Sequence, residues 1–206
     1  MRRGHIANNI IPPLPVGYTN LKWLESISSG AVINCNFYFN VNWKISGEFS
    51  FTDNIGSNFA SVCGSDWYNS GGSGSRQGHV LFSPSLSRCD TVFGEYRASI
   101  LSTQYTYSDI IHFEVTKNQL VVEEEYFTDL SFSGTVNDRY FKMFQFDRNS
   151  RIPYLRLYHL DIKDQYENII HDFYPAMRDS DSKLGMYDIA ANYFYTTTGN
   201  FNYEAL

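Results

Sequence analysis

Cysteine is scarce in this chain: Cys35, Cys63 and Cys89 are the only three in 206 residues, and no two share a paired spacing. An odd count without a framework excludes a disulfide scaffold and points to reduced thiols made in a reducing cytoplasm. Such thiols act as small apolar side chains and are expected in a core. Long apolar runs are missing as well. After Arg2 and Arg3, the stretch from Ile6 to Ile11 is broken by Asn8 and Asn9 and stops at Pro12 and Pro13, so no secretory leader is expected. Nothing approaches the roughly 20 apolar residues of a membrane helix, which excludes insertion by that route. Positive charge is short too: the formal net charge is -6, against the basic surface that nucleic-acid binding requires.

Several chemical signatures are also lacking. Gly71-Gly72-Ser73-Gly74 is not followed by Lys-Ser/Thr and opens no helical pattern, so it is no phosphate-binding loop. The five histidines (His5, His79, His112, His159, His171) show no pair at metal-ligand spacing. His159 and His171 are placed to face each other on neighbouring strands, where hydrogen-bonded structural histidines are expected rather than ligands. No metal site and no cofactor are expected. No sustained helical period and no internal repeat is found.

What is present is aromatic: 16 Tyr, 16 Phe and 3 Trp. Such side chains favour pleated, half-buried strands. Residues 44–52 alternate plainly, with Ile45, Gly47, Phe49 and Phe51 on one face and Ser46, Glu48 and Ser50 on the other. Further strands are expected over residues 18–39 (broken by a turn at 28–30), 79–82, 91–100, 110–116, 120–127, 139–146, 154–163, 169–174, 184–189 and 193–197. Lys117-Asn118 supplies a hairpin turn, and residues 69–78, rich in Gly and Ser, form a loop. Ten or more short strands with regular turns predict one all-β domain of two packed antiparallel sheets over residues 14–206. Residues 1–13 stand apart. They read either as a frayed terminus or as an arm whose Ile6, Ile10, Ile11, Pro12 and Pro13 dock on a neighbouring subunit.

Three blocks carry a family resemblance. Residues 14–34, LPVGYTNLKWLESISSGAVIN, look like an opening P-x-G-Y-T-x-L-x-Y-I-E-S-x-G-x-Q-Y-I-D-T, with Trp23 in place of the usual aromatic. Residues 155–162, LRLYHLDI, resemble a strand written A-R-I-Y-S-x-K-I. His171-Asp172-Phe173-Tyr174-Pro175-Ala176 through Leu184-Gly185-Met186-Tyr187-Asp188 to Tyr195 resemble the close D-F-I-P-C … G-L-Y-D-x-V-N-G-K-F-Y. Together they resemble the concanavalin A-like (laminin G-like) jelly-roll modules of phage and prophage proteins and of gut-bacterial surface proteins. Two departures are plain: Ala191-Asn192 stands where the family has Asn-Gly, and Ala176 where it often has Cys.

The resemblance implies a concanavalin A-like sandwich of a bacteriophage virion structural or appendage protein (head fibre, capsid decoration or tail-associated module), assembled in the host cytoplasm. Its implied partners are capsid or tail proteins and further copies of itself, with cell-surface glycans as an alternative in a lectin-like module. The fold hosts many functions, so the site decides. The Glu-x-Asp-x-x-Glu strand of the superfamily's hydrolases is absent. The nearest acidic run, Glu123-Glu124-Glu125, is expected as a solvated strand with Glu123 and Glu125 on one face, which does not set two carboxyls about 5 Å apart. No catalysis is expected. For glycans, Trp67, Tyr68 and Asn69, with Tyr105 and Tyr107 (and Asp109 nearby), combine aromatic platforms with hydrogen-bonding groups. The resemblance admits one ion, a rim calcium with oxygens from Asp53, Asn54 and Asp66, or from Asp179, Asp181 and Asp188. Asp188 reads first as a turn-former.

Overall fold

The computed structural model describes residues 11–28, 30–52, 60–65, 77–83, 88–92, 96–101, 105, 109–128, 140–144 and 154–206. Among them the chain forms sixteen strands and no helix. The first five are β1 (Tyr18–Ser26), β2 (Val32–Tyr38), β3 (Lys44–Phe51), β4 (Ala60–Ser65) and β5 (Gln77–Ser83). Shorter strands follow: β6 (Arg88–Val92), β7 (Tyr96–Ile100), β8 (Ile111–Val115), β9 (Leu120–Val122), β10 (Glu125–Phe127) and β11 (Tyr140–Met143). The last are β12 (Leu155–Lys163), β13 (Ile169–Arg178), β14 (Lys183–Asp188), β15 (Tyr193–Thr198) and β16 (Phe201–Ala205).

Every pairing is antiparallel, in the order β10-β9-β8-β3-β12-β1-β13-β14-β15-β2-β11-β4-β5-β6-β7, with β16 beside β1. Hairpins account for the neighbours close in sequence. The long-range pairings insert β1 between β12 and β13 and set β3 against β12. β13 changes partner along its length, pairing with β12 at Ile169–Phe173 and with β1 at Ala176–Arg178. The change falls at Pro175, whose missing N–H serves no ladder.

The alternation of β3 and β8 does what period two requires. Ile45, Gly47, Phe49, Phe51, Ile111, Phe113 and Val115 are buried, while Ser46, Glu48, His112 and Glu114 face outward. One cluster of buried residues joins strands far apart in the ladder. Phe49 on β3 meets Phe82 on β5 with ring centroids 4.5 Å apart, and Phe113 meets Phe82 at 5.9 Å. Phe37 on β2 stacks on His171 of β13 at 3.9 Å and on Phe141 of β11 at 5.2 Å. A smaller cluster gathers Ala176, Tyr187 and Phe194, with Leu14, Tyr18 and Ile189 against it. All three cysteines are free and buried. Burial raises the pKa of Cys35 and of Cys63, so neither thiol ionises readily.

Two strand expectations need correction, and two further strands, β4 and β16, lie outside the expected segments. The described residues within 91–100 belong to two antiparallel strands, β6 and β7, with Val92 opposite Tyr96. Residues 120–127 also fold back on themselves: Glu123 and Glu124 make the turn between β9 and β10, and Val122 pairs with Glu125. Glu123 sits at φ 52, which ends the extended run. The acidic run is therefore a corner, not a strand with Glu123 and Glu125 on one face. β4 and β16 carry too little apolar–polar alternation to be read: β4 is buried at every position and β16 is almost wholly exposed.

Candidate functional site

The outward face of β8, β3, β12 and β13 brings together two histidines, a serine and several carboxylates. Register builds it in two rows. One runs Glu114, Ser46, Asp161, Asp172 across the four strands; the other runs His112, Glu48, His159 across β8, β3 and β12. His159 joins its row through a bulge that shifts β12 between Leu157 and His159. A bulge places two successive residues against one partner. Tyr158 and His159 therefore both escape the core, while Leu157 and Leu160 stay buried. Between these strands lies a groove of about 220 Å³ lined by Ser46, Glu48, His112, Glu123, His159 and Asp161, among others.

Each acid of the groove already has a partner. His112 Nδ1 lies 3.3 Å from Glu48 Oε1, and His159 Nε2 lies 2.7 Å from Asp172 Oδ1. Ser46 Oγ reaches both oxygens of Asp161 at 2.9 Å, with Lys163 Nζ at 3.8 Å. Lys44 Nζ lies 3.4 Å from Glu114 and 2.6 Å from Glu167. The β9–β10 corner turns Glu123 back so that the His112 backbone N–H donates to its Oε1 at 2.6 Å. Directly opposed like charges such as Asp161 and Asp172 destabilise a sheet; His159, Ser46 and Lys163 offset that here. Tyr174 packs over His159 at 4.6 Å. Burial, with the charges of Asp172, Asp161 and Glu48, pushes its phenol pKa well up, so it stays neutral.

The hydrogen bond to Glu48 raises the His112 pKa above its ordinary value; burial opposes this, and the Glu48 and Glu123 charges add to it. A histidine raised on folding stabilises the protein fully below its unfolded pKa and loses that contribution as pH rises through the folded value. An NMR titration is therefore expected to place the His112 midpoint above 6.5. Glu48→Gln is expected to bring it back down, and an unchanged midpoint in that variant would refute the pairing.

Other expected site residues fall elsewhere. Trp67, Tyr68, Asn69 and Tyr107 lie outside the described residues, as do Ile6, Ile10, Asp53, Asn54 and Asp66. Tyr105 is half-buried and packs against the main core, so its ring is no open platform. Ile11 and Pro12 are half-buried and Pro13 is exposed. The Pro12 carbonyl accepts from Asn20 Nδ2 at 3.2 Å, which ties the end of the arm to β1.

The three acids Asp179, Asp181 and Asp188 do not converge. Asp179 accepts from Thr19, Asp181 is gripped by Arg178 at 2.9 and 2.7 Å, and Asp188 is buried against His171. Among the described residues no group of three or more His, Cys, Asp or Glu is arranged to hold a metal. Asp188 is a turn-former: its Oδ1 accepts from Ala191 N at 3.1 Å and from Asp172 N at 3.0 Å. In the same turn Asn192 takes φ 52, a left-handed geometry that Asn tolerates, where the resembled family has Gly. His159 and His171 do not face each other. His171 pairs with Ile162 and points into the core, whereas His159 lies outside among the acids.

Comparison with protein-family models, with curated proteins and with solved structures returned no match. The candidate site therefore rests on its own geometry.

Proposed function

We propose that the chain is a non-catalytic concanavalin A-like jelly roll of two antiparallel sheets, serving as a structural or appendage module of a bacteriophage virion. One observation carries the reading. The three blocks that bear the resemblance come from opposite ends of the sequence, yet they occupy β1, β12, β13, β14 and β15, which are consecutive in the ladder. Ring contacts such as Phe49–Phe82 and Phe37–His171, between strands remote in the ladder, suit two sheets packed face to face. The non-catalytic part is supported by the groove chemistry. Acid–base hydrolysis needs one acid held protonated and a second free to attack, and the acids here are bound to imidazole, ammonium, hydroxyl or backbone N–H groups instead.

In this reading residues 1–13 dock on other copies or on a capsid or tail protein, and the sandwich is presented on the particle. Deleting residues 1–13 is expected to abolish oligomer or particle association in sedimentation while leaving the β-sheet circular dichroism intact. Normal assembly of the deletion variant would defeat the arm. A lectin-like module is the second reading, favoured by an uncharged groove beside exposed tyrosines on the far side of the ladder.

A further inference from the structure

β2 and β15 are hydrogen-bonded neighbours at only two register positions, Ile33 with Thr197 and Val32 with Thr198. Beyond these the strands splay. β2 turns toward β11, and its ladder there shifts register between Tyr38–Tyr140 and Asn34–Lys142. Asn36 lies within that shift at φ 53. The bulge bends β2 away from β15, and a groove of about 160 Å³ opens between them.

The lining of this groove differs from that of the acidic one. Asn34, Asn36, Tyr193, Phe194, Tyr195, Thr196 and Thr198 surround it, with no charged side chain among them. Asn34, Asn36, Thr196 and Thr198 are exposed, so their amides and hydroxyls are presented to solvent. Each amide offers both donors and an acceptor, and each hydroxyl does both. Tyr193, about half exposed, sits edge-on to Tyr195 with ring centroids 4.7 Å apart. The next exposed side chain along β2 is Tyr38, stacked on Tyr140 at 4.9 Å; both are about half exposed.

We propose that this groove between β2 and β15 is a binding site for a neutral saccharide. A sugar ring carries hydroxyls that donate and accept at once, which the amides and hydroxyls of the groove match. Its C–H face packs on aromatic rings, which Tyr193 at the groove and the Tyr38–Tyr140 pair beyond it supply. The groove's size suits one ring held inside, with adjoining residues of the glycan running over the stacked tyrosines. The proposal rests on the lectin-like reading and places its site away from Trp67 and Tyr68.

The test uses the full chain and a panel of neutral oligosaccharides built from glucose, galactose, mannose or N-acetylglucosamine, followed by saturation-transfer NMR and calorimetry. At least one is expected to bind, with an affinity that does not change between low and high salt because no charge is engaged. Asn34→Ala and Thr196→Val replace exposed side chains and keep the fold, verified by unchanged thermal unfolding. Each is expected to weaken binding about tenfold, the loss of one good hydrogen bond. Tyr38→Ala is expected to weaken the longer oligosaccharides and spare the shortest. Binding that survives both groove substitutions overturns the site while leaving a lectin elsewhere on the chain. Binding by no saccharide overturns the site and the lectin-like reading together. Binding of an extended peptide, lost on Asn34→Ala, would reassign the groove to strand addition and overturn the saccharide.

Discussion

Replacing Asp188 by Ala is expected to lower the unfolding free energy by about 3 kcal/mol or more, because three buried groups lose their hydrogen-bond partner at about 1–3 kcal/mol each. Asp188 is fully buried, and three groups depend on it. His171 Nδ1 lies 2.6 Å from its Oδ2, while the backbone N–H groups of Asp172 and Ala191 donate to its Oδ1. These partners come from β13 and from the turn after β14, so one side chain fixes the β13–β14 pairing and the β14–β15 corner. Phe37 stacks on His171 with ring centroids 3.9 Å apart, and Phe173 lies beside it at 5.5 Å. An imidazole left unpaired there is largely shut off from water. Asp188→Asn keeps the Oδ1 acceptor and is expected to cost clearly less. Urea unfolding of the three proteins checks the order, and equal stabilities for Asp188→Ala and the parent would remove the clasp from the account.

Gly185→Ala is expected to be nearly as damaging, at about 3 kcal/mol of overpacking. A Cβ at Gly185 would strike the Tyr195 carbonyl oxygen and come within 2.7 Å of the Phe194 ring. The obstacle is backbone on the paired strand, so it cannot swing aside as a side chain would. Phe194 belongs to the small cluster with Tyr187 and Ala176. The methyl group would therefore disturb β14 and β15 along the ladder that flanks the proposed saccharide groove. Gly30→Ala is the control: nothing lies within 4 Å of its Cβ position, so a change below about 0.5 kcal/mol is expected in thermal unfolding. A Gly185→Ala protein as stable as the Gly30→Ala protein would contradict the close approach.

Much of the strand pattern was legible because period two and aromatic enrichment act locally. Residues 44–52 show their buried and exposed faces in the sequence itself, and Glu48 is placed outward by alternation alone. The Glu123 corner was not legible: three consecutive glutamates give no turn signal, and only the left-handed Glu123 reveals the reversal. The pairing of Glu48 with His112 and of His159 with Asp172 depends on register between segments far apart in sequence, which no local pattern carries. A trace of the bulge was nevertheless present. The apolar residues of β12 fall at 155, 157, 160 and 162, a one-residue slip of phase that turns both Tyr158 and His159 outward. The groove between β2 and β15 was hidden for the same reason as the acid pairs, because it exists only where two strands cease to pair.

The claim that this surface binds rather than reacts is tested most directly by incubating the full chain with a broad polysaccharide panel and measuring newly formed reducing ends. No release above the rate without protein is predicted for any substrate. Release that falls away in Glu48→Gln or Asp161→Asn would make the acidic groove an active site and contradict the account.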